Sequence, residues 1–173
     1  MNEERYDEFC NNTLKEIGEF ITEELGYGAE LIPKGENMSL STLAVAIPND
    51  GEGRERYLSL MVLPADVEGY HVTFLQMHLI FDIGVDEGNR PSLETLACRV
   101  NEKFMLGNFV FFFNSLCMKY GMAFDREDGV DLLDLTRSMA VFIWQADVFG
   151  PAFDKLAKGE FSIQEAIRKA TGE

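Results

Sequence analysis

Cysteine and histidine are scarce in this sequence, and their scarcity argues against two kinds of site. The three cysteines, Cys10, Cys98 and Cys117, show no CxxC spacing, which argues against a disulfide framework or a zinc site and favours reduced thiols in a cytoplasmic protein. Cys10 and Cys98 lie on predicted helical stripes, where we expect them to act as small hydrophobes. The two histidines, His71 and His78, lie seven residues apart, so on one regular strand they point to opposite faces. We therefore predict no metal and no cofactor, with His71 at a strand end and His78 as a half-buried or surface imidazole.

Positive charge is also scarce. The chain has 15 Lys and Arg residues against 30 Asp and Glu residues, so its formal net charge is −15. This excess of acids repels phosphate groups and argues against nucleic acid and anionic membrane surfaces as partners. A basic or amphipathic polypeptide would be attracted, although high charge also serves solubility alone. No apolar run approaches the length of a membrane span, and the first residues, MNEERYDEFC, lack the apolar stretch of a signal peptide, so we again expect a cytoplasmic protein.

Catalytic and ligand-binding motifs are missing too. The acidic stretch that begins at Asp125 fails the EF-hand pattern, because Gly129 and Val130 occupy its fifth and sixth positions. Gly26 and Gly28 lack the third glycine of a dinucleotide-binding loop, and the sequence contains neither a P-loop nor a GxSxG motif. We therefore predict no catalytic residues and a function other than catalysis.

Most of the chain carries apolar residues at the spacing of a helix or of a strand, and its 173 residues suggest one domain, 1–173. In the 71–83 segment the odd positions from Leu75 to Ile83 are apolar and are expected to face the core. Gly150–Pro151 is expected to kink or break the last long helix, because proline removes a backbone donor. We predict three long helices, at 3–25, at 92–106 and from about 132. A short last helix follows, with a capping box formed by Ser162 and Glu165. The predicted strands are 42–47, 57–63, 71–83, 108–114 and 116–124.

This order, α-β-β-β-α-β-β-α followed by a short helix, predicts an α+β fold with one five-stranded antiparallel sheet. Hairpins link the strands within each of the two groups, and the middle helix crosses from one group to the other. The long helices are expected to bury their apolar stripes against a face of the sheet.

The segment NFVFFFN, which begins at Asn108, is the most apolar of the predicted strands. In a regular strand Phe109, Phe111 and Phe113 face one way, while the residues between them face the other. Exposing a phenylalanine instead of burying it forgoes roughly 1.5–3 kcal/mol, so we expect both faces to be covered. Helices would cover one face, and a loop, the crossover helix or a second chain the other. A monomer with every phenylalanine in its core is the alternative.

Three segments carry recognisable packing signatures: CRVNEKFMLGNFVFF, DREDGVDLLDL and VFGPAFDKLAKGEFSIQEAIRKA. Together with the order of elements they resemble the YbjN-like family, called sensory transduction regulators, and the related fold of class I type III secretion chaperones. The resemblance implies a type III secretion chaperone-like fold and a small acidic homodimer that holds an extended segment of a cargo protein and hydrolyses nothing. The chain departs from the family at the last hairpin, where Asn114-Ser115-Leu116 replaces the usual Gly or Asp turn residues.

On these grounds we predict a non-enzymatic bacterial protein that binds another protein or an extended peptide segment and forms a homodimer. A sheet edge or an apolar groove would provide the contact, and the eight methionines add adaptable apolar surface. One alternative is a small ligand sensor or enzyme with a pocket near His78 or Tyr120, and another is a structural subunit of a larger complex. The residues predicted to bind the partner are Phe109, Phe111, Phe113, Met118 and Tyr120.

Overall fold

In the computed structural model, which describes residues 3–36, 38–63 and 72–172, the chain forms an antiparallel sheet with helices on one of its faces. The helices of the described residues are α1 Glu3–Glu24, α2 Arg90–Asn101, α3 Leu132–Ala157 and α4 Ile163–Thr171. The strands are β1 Ala29–Ile32, β2 Thr42–Ile47, β3 Arg56–Leu63, β4 Val72–Phe81, β5 Asn108–Phe112 and β6 Ser115–Asp125. Neighbouring strands pair antiparallel in the order β1-β2-β3-β4-β6-β5, which confirms the α+β class and the antiparallel sheet.

The predicted count of five strands is wrong, because β1 adds a sixth strand at one edge of the sheet. β1 has only four residues, AELI, which are too few for a pattern of alternation to be recognised. It is held by β2, where Ala29 lies opposite Val45 and the N–H of Ala46 donates to the Gly28 carbonyl at 2.8 Å. Pairing with β2, not a pattern of its own, makes this segment a strand.

One face of the sheet, called here the inner face, carries the core. The odd positions of β4 point into it as predicted, and Leu75, Met77 and Leu79 are fully buried. The strand ends before Ile83, and His71 lies outside the described residues. The other buried strand residues of this face include Leu43, Val45, Ile47, Leu58, Leu60, Val62, Phe109, Leu116, Met118 and Phe124.

Signals in the local sequence mark three helix ends. α1 ends at Glu24, and Gly26 then turns the chain with a φ of +70°. The Asp131 carboxylate caps α3 by accepting from two N–H groups of its first turn. The Ser162 hydroxyl caps α4 by accepting from the N–H of Glu165, whose carboxylate accepts from the Ser162 N–H, so the predicted capping box is confirmed.

α2 is shorter than predicted and lies closer to the N-terminus. It begins at Arg90, with Pro91 in its first turn, and ends at Asn101 instead of at 106. Gly107, predicted to terminate the helix, lies in the following loop with a φ of +79°, and a Cβ there would sit 2.5 Å from the Lys119 carbonyl oxygen. The close approach of this loop to β6 therefore requires glycine.

α3 continues through Gly150 and Pro151, so the predicted break is wrong. A proline inside a helix costs about 3 kcal/mol. Beyond it, however, α3 buries Phe153 and Leu156. Each such burial is worth roughly 1.5–3 kcal/mol. The missing Cβ of Gly150 also leaves room for the Phe81 ring, so packing outweighs the lost hydrogen bond.

β5 and β6 form a hairpin whose turn differs from the prediction. Phe112 pairs with Ser115, so Phe113 and Asn114 form the turn in place of the predicted Asn114-Ser115-Leu116. Phe113 has a φ of +52°, a left-handed conformation that costs an aromatic residue about 1 kcal/mol or more. Phe113 therefore lies at the tip of the hairpin. The prediction that it shares a strand face with Phe109 and Phe111 is wrong.

Candidate functional site

The face of the sheet opposite the core carries none of the described helices. α1 packs on β1, β2 and β3, and α2 packs on β5, α3 and α4, all on the inner side. Outward side chains include Tyr57, Ile80 and Phe112, which are 54%, 60% and 67% exposed. Ile32 and Phe74 are exposed on the same side. We call this surface the open sheet face.

The part of the open sheet face around Cys117 is apolar. Cys117 of β6 lies between Ile80 and Val110 of the neighbouring strands and is buried. Burial raises the pKa of the Cys117 thiol to about 11, so the thiol is uncharged at neutral pH and a poor nucleophile. One row further along, His78 lies opposite Lys119. Burial first, and then the charge of Lys119, lower the pKa of His78, so its imidazole is neutral too.

Acidic residues are nearly absent from the open sheet face. Of the 30 Asp and Glu residues in the chain, only Glu30 and Asp125 occupy outward positions on the described strands. Glu30 lies in the edge strand β1, and Asp125 lies at the end of β6. The other outward positions hold apolar, small or neutral polar residues and Lys119. The surface is therefore almost uncharged although the chain as a whole is strongly acidic.

Two of the residues predicted to bind a partner belong to the core. Phe109 is 3% exposed, and its ring centroid lies 4.4 Å from that of Phe153 in α3. Met118 is fully buried on the inner face. Both side chains stabilise the packing of helices on the sheet, and a partner on the surface cannot reach them.

The other three predicted residues are not brought together either. Phe111 and Tyr120 are half-buried on the inner side, and the Arg90 guanidinium stands 5.5 Å from the centroid of the Phe111 ring. Phe113 is 81% exposed at the hairpin tip, where its ring meets that of Phe112 edge-on at a centroid distance of 4.8 Å. The alternative of a monomer with every phenylalanine in its core is therefore wrong, and cover of the second face by another chain stays a prediction. The exposed aromatic of the strand is Phe112, from the set opposite to the predicted one.

The outer edge of β5 is closed to an added strand. The Asn101 side chain of α2 accepts from the Phe109 N–H at 2.7 Å and donates to the Phe109 carbonyl at 3.0 Å. The Arg90 guanidinium donates to the Phe113 carbonyl at 2.9 Å. In an edge strand, every second residue points its backbone N–H and C=O away from the sheet, where an added strand would pair. The bonds to Phe109 and Phe113 occupy two such positions, one on each side of Phe111. A peptide cannot pair along β5 without displacing them.

A second exposed apolar surface lies on the helix layer. α3 buries Phe142 against the core, and on its opposite side Trp144 is 50% exposed and Val148 is exposed as well. The buried Gln145 side chain accepts from the Met105 N–H at 2.9 Å and so holds the loop with this exposed methionine against α3. We call Met105, Trp144 and Val148 the helix surface. It lies on the other side of the molecule from the open sheet face.

A cavity of about 350 Å³ lies between the β2–β3 loop, the end of β4 and α3. In it Arg54 donates to Asp50 at 2.6 Å and to the buried Asp154 at 2.8 Å, and Arg56 donates to Asp147 at 2.6 Å. Burial acts to raise the pKa of Asp154, but hydrogen bonds from its cationic neighbours outweigh burial and lower the pKa. These ion pairs tie the β2–β3 loop to α3, and the arginines of the cavity already have carboxylate partners.

His78 and Tyr120, the residues around which a pocket was expected as the alternative, do not line this cavity. They lie on opposite faces of the sheet, because His78 pairs with Lys119 and Tyr120 pairs with Met77 on adjacent positions of β4. A single pocket cannot be lined by both side chains.

The cysteines divide between core and surface. Cys10 is buried, as predicted, whereas Cys98 is exposed on α2, so its predicted role as a small core residue is wrong. Within residues 3–36, 38–63 and 72–172, no group of three or more His, Cys, Asp and Glu side chains is placed to hold a metal ion.

None of the helices that the structure describes combines the length and the hydrophobicity needed to cross a bilayer. No protein-family model matches the chain, and no curated protein or solved structure shows significant similarity to it. The resemblance to the YbjN-like family and to secretion chaperones therefore stays a prediction from sequence segments and from the order of elements.

Proposed function

We propose that the chain is a non-catalytic, cytoplasmic protein-binding module that works as a homodimer and holds an apolar segment of another polypeptide. The observation that carries this proposal is the presence of two exposed apolar surfaces on opposite sides of the molecule. A chaperone-like or regulatory protein needs one surface for its second copy and one for its target. The order of elements supports a chaperone-like fold, since without β1 the described chain runs α-β-β-β-α-β-β-α before α4.

Target binding is assigned to the helix surface. Keeping a large apolar side chain in water forgoes roughly 1.5–3 kcal/mol, and exposed apolar patches often mark sites of protein contact. Tryptophan is among the residues most enriched at the energetic centres of interfaces. Trp144 is the sole tryptophan of the chain and lies half-exposed on α3, about one turn before Val148.

The target has the chemistry of an amphipathic segment with a basic polar side. The net charge of −15 attracts cationic polypeptides and raises their rate of encounter. Next to the helix surface lie the exposed carboxylates of Asp147 and Glu102. Each already has one cationic partner, Arg56 at 2.6 Å and Arg99 at 3.6 Å, and a carboxylate can accept from further donors. Basic residues that flank apolar anchors would meet these carboxylates while the anchors cover Trp144 and Val148.

The emission of Trp144 reports directly on this surface, because no other tryptophan contributes. Titration with an amphipathic peptide of Leu and Lys should shift the emission to shorter wavelength as the indole leaves water. A scrambled peptide of the same composition and an amphipathic peptide of Leu and Glu should leave the emission unchanged. An equal shift with the scrambled peptide would show attraction by charge alone and refute a specific apolar surface.

Two matched variants locate the site. Val148→Glu and Gln164→Glu add the same charge at exposed helical positions, the first on the helix surface and the second on α4. Measured by the anisotropy of a dye-labelled Leu and Lys peptide, binding should weaken by about tenfold or more in Val148→Glu and stay unchanged in Gln164→Glu. Equal affinity of the two variants would rule out the helix surface as the target site.

A further inference from the structure

We infer that the open sheet face is the homodimer interface, with two sheets packed face to face and a helix layer on each outer side. The inference rests on the proposed function, which includes a homodimer, and it identifies the surface through which the two copies bind each other. Tyr57, Ile80 and Phe112 are the exposed anchors of that surface. Sheets packed in this way lie about 10 Å apart, and their side chains interdigitate.

Charge favours a second copy of this chain as the occupant. Two identical chains of net charge −15 repel each other, and this repulsion is weakest where acids are few. Glu30 and Asp125 are the only acids at outward positions of the described strands, and each is peripheral. A basic partner, in contrast, would be drawn to the acidic parts of the chain. A face with few charges and exposed apolar anchors can pack against a second copy of itself, as an interface around a two-fold axis requires.

The size of the open sheet face also suits a dimer. Its two longest strands, β4 and β6, have 10 and 11 residues. Six strands at a spacing of about 4.8 Å and a mean length of roughly 24 Å give the sheet a projected area of roughly 700 Å². Each partner in a standard interface buries about 800 Å² of accessible surface, so the two areas are of the same order.

Gly121, at the middle of β6, points to a close contact with another molecule. A glycine inside a strand costs about 0.5–1 kcal/mol relative to alanine. Neither the backbone nor the packing of the single chain requires glycine at this position. The φ of Gly121 lies outside the left-handed region, and a Cβ there would meet only the Leu75 carbonyl oxygen, at 4.0 Å. Glycine in a strand often marks the close approach of another group. With Ala123 beside it on the same face, Gly121 leaves a depression that an aromatic anchor of the second copy fills.

The edge of β5 is a poorer place for self-association. Pairing two β5 strands into one continuous sheet would break the bonds that Asn101 makes to the Phe109 backbone and that Arg90 makes to the Phe113 carbonyl. Face-to-face packing leaves these bonds in place.

Light scattering coupled to size-exclusion chromatography, repeated over a wide range of concentration, tests the interface with matched variants. Ile80 and Leu133 are 60% and 58% exposed, the first on the open sheet face and the second on α3, so Ile80→Glu and Leu133→Glu place the same charge at side chains of matched exposure. Wild type and Leu133→Glu should be dimers. Ile80→Glu should raise the dissociation constant by about a hundredfold or more, because two copies of the new charge lose their water in the interface.

Gly121→Leu provides a second test that adds bulk without charge. It should not lower the melting temperature of the monomer, because a Cβ at Gly121 has room and glycine is unfavourable inside a strand. It too should weaken the dimer. If Ile80→Glu and Gly121→Leu remain dimeric at every concentration, the inference is wrong. If Leu133→Glu dissociates the dimer and Ile80→Glu does not, the copies meet on the helix layer, and only the choice of surface fails.

A wild-type chain that is monomeric throughout would overturn both this inference and the homodimer of the proposed function. The peptide titration of Trp144 remains independent, since Ile80→Glu leaves the helix surface intact and should bind the Leu and Lys peptide like wild type. In addition, dilution of the wild-type dimer should leave the emission of Trp144 unchanged, because the indole lies on the side away from the interface.

Discussion

Replacing Asp154 by Asn tests the ion-pair network that joins the β2–β3 loop to α3. The buried Asp154 carboxylate accepts from Arg54 at 2.8 Å and from Lys158 at 2.7 Å. Asparagine keeps the size of the side chain and removes its charge. Arg54 then retains Asp50, at 2.6 Å, as its carboxylate partner. The change therefore removes charge from the network without opening space.

The expected loss follows from the burial of each group. Breaking a fully buried ion pair by removing one partner costs about 3–5 kcal/mol, whereas an exposed pair contributes about 1 kcal/mol or less. Asp154 is buried and Arg54 is partly exposed, while Lys158 is exposed and its contact adds little. Solvent screens the arginine, so the Asp154→Asn variant should lose about 2 kcal/mol of unfolding free energy, between these limits.

The loss should also depend on pH. Burial opposes ionisation of Asp154, but its hydrogen bonds prevail and hold its pKa below the ordinary value of 3.8. The unfolded chain then binds this proton more readily than the folded chain. The stabilising contribution is therefore complete above the ordinary pKa and disappears as the pH falls through the lowered one. The difference between wild type and Asp154→Asn should be constant near neutral pH and shrink below about pH 4.

Urea titration followed by circular dichroism measures these free energies. Asp134→Asn is the control in the same helix, because Asp134 and Arg137 form an exposed pair at 3.0 Å. Its loss should stay below about 1 kcal/mol. Equal losses in the two variants, or a loss in Asp154→Asn that persists unchanged in acid, would refute the assigned role of the buried carboxylate.

Two further substitutions test how α2 and its loop hold the hairpin. Gly107→Ala should lower the free energy of unfolding by about 2 kcal/mol or more, because the new Cβ would lie 2.5 Å from the Lys119 carbonyl oxygen at a φ of +79°. Gly129→Ala, at a φ of +75° with nothing within 4 Å, measures the backbone part alone, and an equal loss would show that the close contact is unimportant. Asn101→Leu should remove both bonds to the Phe109 backbone and free the β5 edge, so we expect a lower melting temperature and light-scattering aggregates on incubation. A variant that melts like wild type and stays clear would contradict this account of the edge.

Local signals predicted the elements whose ends depend on local bonds. The caps formed by Asp131 and Ser162 bond to N–H groups two or three residues away, so sequence spacing is enough to find them. The alternation of 71–83 likewise identified the inward side of β4, because that alternation is imposed by a single buried face. Predictions failed where a distant element decides the outcome. β1 becomes a strand only by pairing with β2, and α3 continues through Pro151 because its far end is buried.

The candidate surfaces show the same division. The sequence identified two sets of residues in NFVFFFN but assigned the partner contact to Phe109, Phe111 and Phe113. Docking of α2 and α3 buried Phe109 and left Phe112 outside. Tyr57 and Ile80 could not be singled out either, since their exposure depends on the absence of a described helix over that side of the sheet.

By itself, the sequence determined the α+β class, the antiparallel sheet, most helix and strand bounds and the acidity, because periodicity, caps and charge are properties of short windows and of composition. Only tertiary contacts decided the sixth strand, the exposure of Phe112 and the meeting of Arg54 with Asp154, which are 100 residues apart. The physical reason is that docking sums many weak contacts between distant segments, and no short window of the chain contains both partners of such a contact.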